Sequence, residues 1–238
     1  CLLFASVASG QIPEPVRKSL TQAVIVTVPD GNGSAKGSGT YLGDGIYVTA
    51  WHVVRDNPRA PVTLRWKDGT SVIGKVTGHD ETWDIAVVET EAKRNGGVPL
   101  TKANAINGTK VYLGGYAQGP LMAWGGSVTD KASPGQGLPS DWLEASGAAI
   151  PGDSGGPVFD ESGCYIGPLW GSSGRTTLAT NAGRFQRFLL PWNARLAAWQ
   201  AQGYQCPPQQ YGSQPQAPMP QGGGRQVVPG GPEQPTPI

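Results

Sequence analysis

Residues 151–159 read PGDSGGPVF, with one serine, Ser154, set behind an aspartate and among three glycines. Glycine carries no Cβ, so it tolerates positive φ and lets backbone approach closely. A serine in that setting can be an exposed nucleophile with bare backbone N–H groups beside it. It can equally be a turn residue. The choice depends on whether the rest of the chain supplies a base, an acid and a scaffold.

Gly152-Asp153-Ser154-Gly155-Gly156 also fits G-x-S-x-G, the nucleophile elbow of the α/β-hydrolases, whose partners follow in the order acid, then His. This chain has two histidines, His52 and His79, and both precede Ser154. Strands do not alternate with helical segments either, so that reading is rejected.

A base is available upstream. Residues 45–54, GIYVTAWHVV, place His52 just after an apolar run, at the start of a turn. Residues 83–88, WDIAVV, put Asp84 at the head of a second apolar run. A carboxylate held against an imidazole fixes its tautomer and stabilises the imidazolium. Each residue alone has a plain structural explanation. Together they give His52, Asp84 and Ser154 in matching contexts. Asp80 competes for the acid role, but Asp84 is preferred because it heads the strand. His79 reads as a surface-loop residue.

The scaffold reads as all-β. Glycine (36) and proline (22) are abundant and helical periodicity is scarce, which favours many short strands joined by turns. Twelve apolar runs between residues 23 and 180 are expected as strands: 23–28, 39–42, 46–49, 62–66, 71–78, 85–89, 110–114, 122–129, 142–145, 157–159, 164–170 and 176–180. Asp-Gly within 42–47, LGDGIY, is a hairpin signal. Residues 183–202 are the one helix candidate, begun or kinked at Pro191. A net charge of +1 argues against charge-driven binding to nucleic acid or a membrane surface. No apolar run is long enough for a spanning helix. Two histidines and three scattered cysteines show no zinc-type spacing, so no metal or cofactor is expected. The glycine-rich stretch 30–38 lacks the phosphate-loop pattern.

With GSGTYL, VTAWHVV, DIAVV, PGDSGGPVF and YIGPLWGSSG on the page, the chain resembles the trypsin-like (chymotrypsin-fold) serine proteases, from about residue 37 to 180 and closest to the compact bacterial branch. The resemblance implies an all-β fold of two antiparallel β-barrels with the active site between them, a C-terminal helix and a disordered tail. It implies peptide-bond hydrolysis by His52, Asp84 and Ser154 through an acyl-enzyme, with an oxyanion hole from the N–H groups of Gly152 and Ser154. The base of the primary specificity pocket falls on Ala148, where no acid is available to hold Arg or Lys. Its wall falls on Trp170, Gly171 and Ser172, which implies cleavage after small or apolar residues. Trp170 is read equally well as core packing. Two departures stand out. Trp51 replaces the small residue usual before the histidine, so that it either crowds the cleft or packs outside it. No IVGG-type segment lies near residues 12–25, so activation by a new amino terminus pairing with Asp153 is unsupported and the partner of Asp153 is open.

The expected partner is a protein or peptide substrate, with no nucleic acid; the oligomeric state is left open. The competing readings are a catalytically silent protease-fold binding module and a surface protein whose tail is the working part. Residues 1–10 read as a signal-peptide remnant, with a buried strand or an acylated Cys1 as alternatives, and imply a secreted or cell-envelope protein. The protease domain is expected over 11–202, as barrels at about 20–103 and 104–182 followed by the helix. Residues 203–238 hold 9 Pro, 8 Gln and 7 Gly, a composition that cannot offset its ordering entropy, and are expected to be disordered. Cys164 and Cys206 are either a disulfide or two free thiols.

Overall fold

Short apolar runs become strands wherever a face can be buried, and the chain follows that rule. The structure, a computed structural model, describes residues 11–31, 33–117 and 119–208 and the backbone of 226–227. A helix α1 (Glu14–Leu20) leads into β1 (Ala23–Asp30), β2 (Gly33–Gly43) and β3 (Ile46–Thr49). After the one-turn helix α2 (Trp51–Val54) come β4 (Val62–Arg65), β5 (Ser71–Asp80) and β6 (Ile85–Glu89). The second half contains β7 (Lys110–Gly115), β8 (Met122–Ala132), β9 (Trp142–Ser146), β10 (Pro157–Asp160), β11 (Tyr165–Ser172) and β12 (Thr176–Thr180). It closes with α3 (Ala182–Phe188), a 3-10 turn (Leu190–Trp192) and α4 (Asn193–Gln200), and β13 (Gln226–Val227) pairs with β8.

The first six strands form a closed antiparallel barrel in the order β1-β2-β3-β6-β5-β4. The next six follow the order β8-β7-β10-β11-β12-β9, and a β8–β9 pairing closes the second barrel. All twelve expected runs are strands. β2 starts earlier than its apolar pattern, because residues 33–36 pair with β1 through backbone alone while largely exposed. Asp44 and Gly45 both take positive φ, 51° and 77°, as a two-residue hairpin turn demands.

β3 and β6 are buried on both faces, which is why IYV and IAVV read as unbroken apolar runs. Tyr47, Ala86 and Val88 fill the interior of the first barrel. Ile46, Val48, Ile85 and Val87 face outward into a core shared with Phe159 and Tyr165 of the second barrel and with Phe185 of α3. The two barrels are thereby fused along β3 and β6, the strands that deliver His52 and Asp84.

Two helical features depart from expectation. α1 is extra; its seven residues bury only Val16, Ser19 and Leu20, too few to show a period. The interruption expected at Pro191, which lacks the N–H to continue α3, divides 183–202 more fully than a kink, into α3, the 3-10 turn and α4. The split lets α4 return to the first barrel. There the Trp199 indole N–H donates to the Gly96 carbonyl at 2.7 Å and that of Trp192 to Glu89 at 2.9 Å. Arg195 donates to Asp44 at 2.7 Å and also reaches Glu89.

That cluster has a pH signature. Burial alone raises the carboxyls of Asp44 and Glu89, but hydrogen bonds and cationic neighbours outweigh it and hold both below their ordinary values; Lys93 and Arg195 act on Asp44, and Thr77, Trp192 and Arg195 on Glu89. Stability from a depressed carboxyl is complete above its unfolded pKa of ~4 and is lost as pH falls through the folded value. Arg195→Met should therefore flatten the decline of Tm between pH 5 and pH 2 relative to wild type. Equal acid slopes in a thermal unfolding series would show that the cluster carries no linkage.

Cys164, in the β10–β11 turn, forms a disulfide with Cys206, with Cα atoms 5.8 Å apart. Tyr204 stacks parallel to Trp199 at 6.4 Å, and its N–H donates to the Gln200 carbonyl. The disulfide thus ties Cys206, within the expected tail, to the second barrel. Residues 1–10, 209–225 and 228–238 lie outside the described residues, and with them the signal-remnant reading and most of the tail. Among the described residues no helix is long and apolar enough to cross a membrane.

Candidate active site

Thr49 of β3 pairs with Ala86 of β6, so the end of one strand meets the start of the other. Just past β3, α2 opens without a side-chain cap of its own, because Ala50 has nothing to offer. Asp84 supplies the missing acceptors. Its carbonyl accepts from the Trp51 N–H at 3.2 Å, and its Oδ1 from the His52 N–H at 2.7 Å. Its Oδ2 lies 2.6 Å from His52 Nδ1. Asp84 does this from a left-handed conformation, φ 51°, which Asp tolerates better than most residues. The pair is partly open to solvent, with the side chains of His52 and Asp84 31% and 16% exposed.

Ser154 sits in the turn between β9 and β10. Gly152 takes φ +91°, and a Cβ there would press on the Ala117 backbone. Gly155 takes φ +85°, and a Cβ there would meet the Ser38 carbonyl and the Thr49 hydroxyl, where the two barrels touch. These are the reasons for glycine around the serine. The amides of the turn divide into two sets. Those of Asp153, Gly155 and Gly156 donate to Ile150, Leu169 and Asp153 carbonyls at 3.0, 2.6 and 2.8 Å. Among the described residues those of Gly152 and Ser154 donate to no protein acceptor. Nor, among them, does the Ser154 hydroxyl bond to His52.

Asp153 is fully buried. Its Oδ1 accepts from the Ala117 N–H at 3.1 Å and its Oδ2 from the Ile150 N–H at 2.9 Å. The partners left open by the sequence therefore include two backbone amides. Asp80, the competitor for the acid role, ends β5 and accepts from the Trp83 N–H at 3.2 Å.

A cleft of about 800 Å³ runs beside His52 and Asp84, lined also by Trp51, Trp142, Trp170, Gly171 and Ser172. Trp51 lines it and is itself 8% exposed. Its ring stacks on His79 at 3.8 Å and 9°. His79 belongs to β5 and pairs with Ala86, so the loop expected there is a strand. Trp170 contacts Trp142 at 4.2 Å and packs on the first barrel's core while lining the cleft. Ala148 is exposed and outside this cleft. Sequence reasoning missed Ser38, whose hydroxyl joins the Ser154 turn to the end of β7. Its only trace was the GSG at 37–39.

A family model described as "Trypsin-like peptidase domain" matches residues 37–167. "Probable periplasmic serine endoprotease DegP-like" of Rhizobium meliloti is 34% identical over 142 residues, 56% of this chain and 27% of that protein. "Protease Do-like 1, chloroplastic" of Arabidopsis thaliana is 32% identical over 163 residues, 64% of this chain and 36% of that protein. The chain thus spans about a third of the length of these relatives. Among solved structures, the active form of the Rv3671c protease from M. tuberculosis superposes with TM-score 0.65 at 20% identity, covering 74% of this chain and 82% of that one. The HtrA-type protease AlgW with a tripeptide gives 0.63 at 20%, covering 75% and 63%. These structural likenesses establish the fold.

Proposed function

The chain belongs to the trypsin-like peptidase family, and from that premise we propose that it is a serine endopeptidase acting through His52, Asp84 and Ser154. The observation that carries this reading is the short His52–Asp84 pair at the junction with the turn that leaves the Gly152 and Ser154 amides undonated. Ser154 Oγ attacks the scissile carbonyl, and His52 Nε2 takes its proton. His52 then protonates the departing amine, leaving an acyl-enzyme that water hydrolyses by the same route. Asp84 keeps the ring proton on Nδ1 and balances the imidazolium. The Gly152 and Ser154 N–H groups receive the charge that develops on the carbonyl oxygen.

Substrate backbone runs along Gly171 and Ser172 as an added strand, with Trp170 beneath it. Ala148 is proposed as the base of the primary pocket. Without an acid there, cleavage follows small or apolar residues. A secreted or cell-envelope location is supported by relatives named as periplasmic and by the Cys164–Cys206 disulfide, a bond that persists in oxidising compartments.

The absence of a Ser154–His52 hydrogen bond among the described residues favours one alternative, a silent protease-fold binding module. Catalytic hydrogen bonds are often long before substrate arrives, which leaves the enzyme reading ahead. A fluorophosphonate probe decides between them. The full chain should become labelled at Ser154, located by peptide mass spectrometry. A folded chain that takes up no label at Ser154 would leave the binding module as the reading.

A further inference from the structure

Ser38 of β2 is completely buried and uses every polar group it has. Its N–H donates to the Ser154 carbonyl at 2.7 Å, and its carbonyl accepts from the Thr49 hydroxyl at 2.7 Å. Its own hydroxyl donates to the Gly152 carbonyl at 2.8 Å and accepts from the Tyr116 N–H at 2.9 Å. One side chain of the first barrel thus joins two segments of the second: the Ser154 turn and the end of β7. The backbone bonds could be made by any residue. The hydroxyl is the specific element, and burying one is costly unless it is paired as it is here. Gly37 beside it lets β2 come close, since a Cβ there would meet Val53 and the Ser154 carbonyl.

What the hydroxyl holds matters more than how well it is held. Gly152, at φ +91°, has no Cβ to restrict its rotation. Among the described residues its N–H is one of the two undonated amides beside Ser154. On one side of this residue, Asp153 fixes Ile150 by accepting from its N–H and donating to its carbonyl. On the other side, the Gly152 carbonyl is fixed by Ser38 Oγ. The peptide between Pro151 and Gly152 is pinned from both ends, with its N–H left over. We propose that Ser38 is a positioning residue whose hydroxyl locks Gly152 so that its amide stays available to the developing oxyanion. The proposal rests on the reading of Ser154 as nucleophile.

Ser38→Ala strands the Gly152 carbonyl and the Tyr116 amide together and releases Gly152. Deleting an oxyanion donor outright costs about 10²–10³ in rate, so loosening one should lower kcat about 10–100-fold. KM should stay within about threefold, because the ground-state carbonyl gains little from the hole. The readout that separates positioning from general damage is a matched inhibitor pair. Ala-Ala-Pro-Val aldehyde forms a hemiacetal with Ser154 whose oxygen occupies the hole; the corresponding alcohol binds through the subsites alone.

In Ser38→Ala the aldehyde should weaken by the same factor as kcat/KM for the matching p-nitroanilide, with the alcohol unchanged. Ser38→Cys, which keeps the shape and a weak donor, should fall between the two and keeps the test open if the alanine variant does not fold. Turnover within threefold of wild type in both variants, or an alcohol weakened as much as the aldehyde, would overturn the proposal. A wild-type chain that neither cleaves the anilide nor distinguishes aldehyde from alcohol would overturn the nucleophile reading, and this inference with it.

Discussion

Ser154→Ala is expected to lower kcat by about a million-fold, the loss typical when a triad nucleophile is removed, and to abolish fluorophosphonate labelling, while Tm stays within a few degrees of wild type. The separation of the two effects follows from the turn. The backbone of Ser154 carries the structural load, since its carbonyl accepts from the Ser38 N–H at 2.7 Å and ties the barrels together. Its hydroxyl makes no hydrogen bond to His52 among the described residues. Alanine therefore keeps the barrel contact and removes only the proposed nucleophile. Residual turnover above background should remain, because the undonated amides can still polarise a bound carbonyl. A Tm drop comparable to that of a core truncation would mean the hydroxyl is structural. Retained hydrolysis would place the nucleophile elsewhere.

The strands were legible because both halves of the chain obey one rule. Runs such as IYV and IAVV are apolar at every position since each is buried on two faces, one toward its own barrel and one toward the other. Asp-Gly at 44–45 announced its turn because few other pairs accept two positive φ values. The helices were harder. α1 has too few buried positions to set up a period, and α4 is recognisable only by its docking partners. Arg195 finds Asp44 and Glu89, and Trp199 finds Gly96, across more than a hundred residues of chain. No local pattern encodes such a meeting.

The candidate site divides along the same line. His52, Asp84 and Ser154 could be picked out because each stands at the end of an apolar run or among glycines. Their local contexts are visible without the fold. Trp51 could be seen as a departure but not resolved, since whether it entered the cleft depended on His79 arriving from β5 to stack on it. Ser38 was invisible for a different reason. A serine between two glycines reads as a loop, and its worth lies in two bonds to the opposite barrel. Asp153 is the intermediate case: its place before Ser154 marked it for a partner, and only the fold brought the Ala117 amide to it.

Asp84→Asn should lower kcat by about 10⁴, the cost of presenting the wrong histidine tautomer, with little change in Tm. Asn is the same size and is at home at φ 51°, and the Asp84 carbonyl can still accept from the Trp51 N–H. The side chain has no harmless orientation. One oxygen position accepts from the His52 N–H at 2.7 Å, so the amide oxygen of Asn must occupy it. The NH₂ group is then left where Oδ2 stood, 2.6 Å from Nδ1. Two donors cannot face each other at that distance, so Nδ1 must give up its proton and accept. The ring proton moves to Nε2, the nitrogen that has to take the proton of Ser154, and the imidazole can no longer act as the base. The opposite orientation would set the NH₂ against the His52 N–H and uncap α2. Steady-state kinetics beside a thermal melt test the argument directly. A loss of less than tenfold in a stable variant would mean that Asp84 serves α2 alone, and the acid role would pass to Asp80.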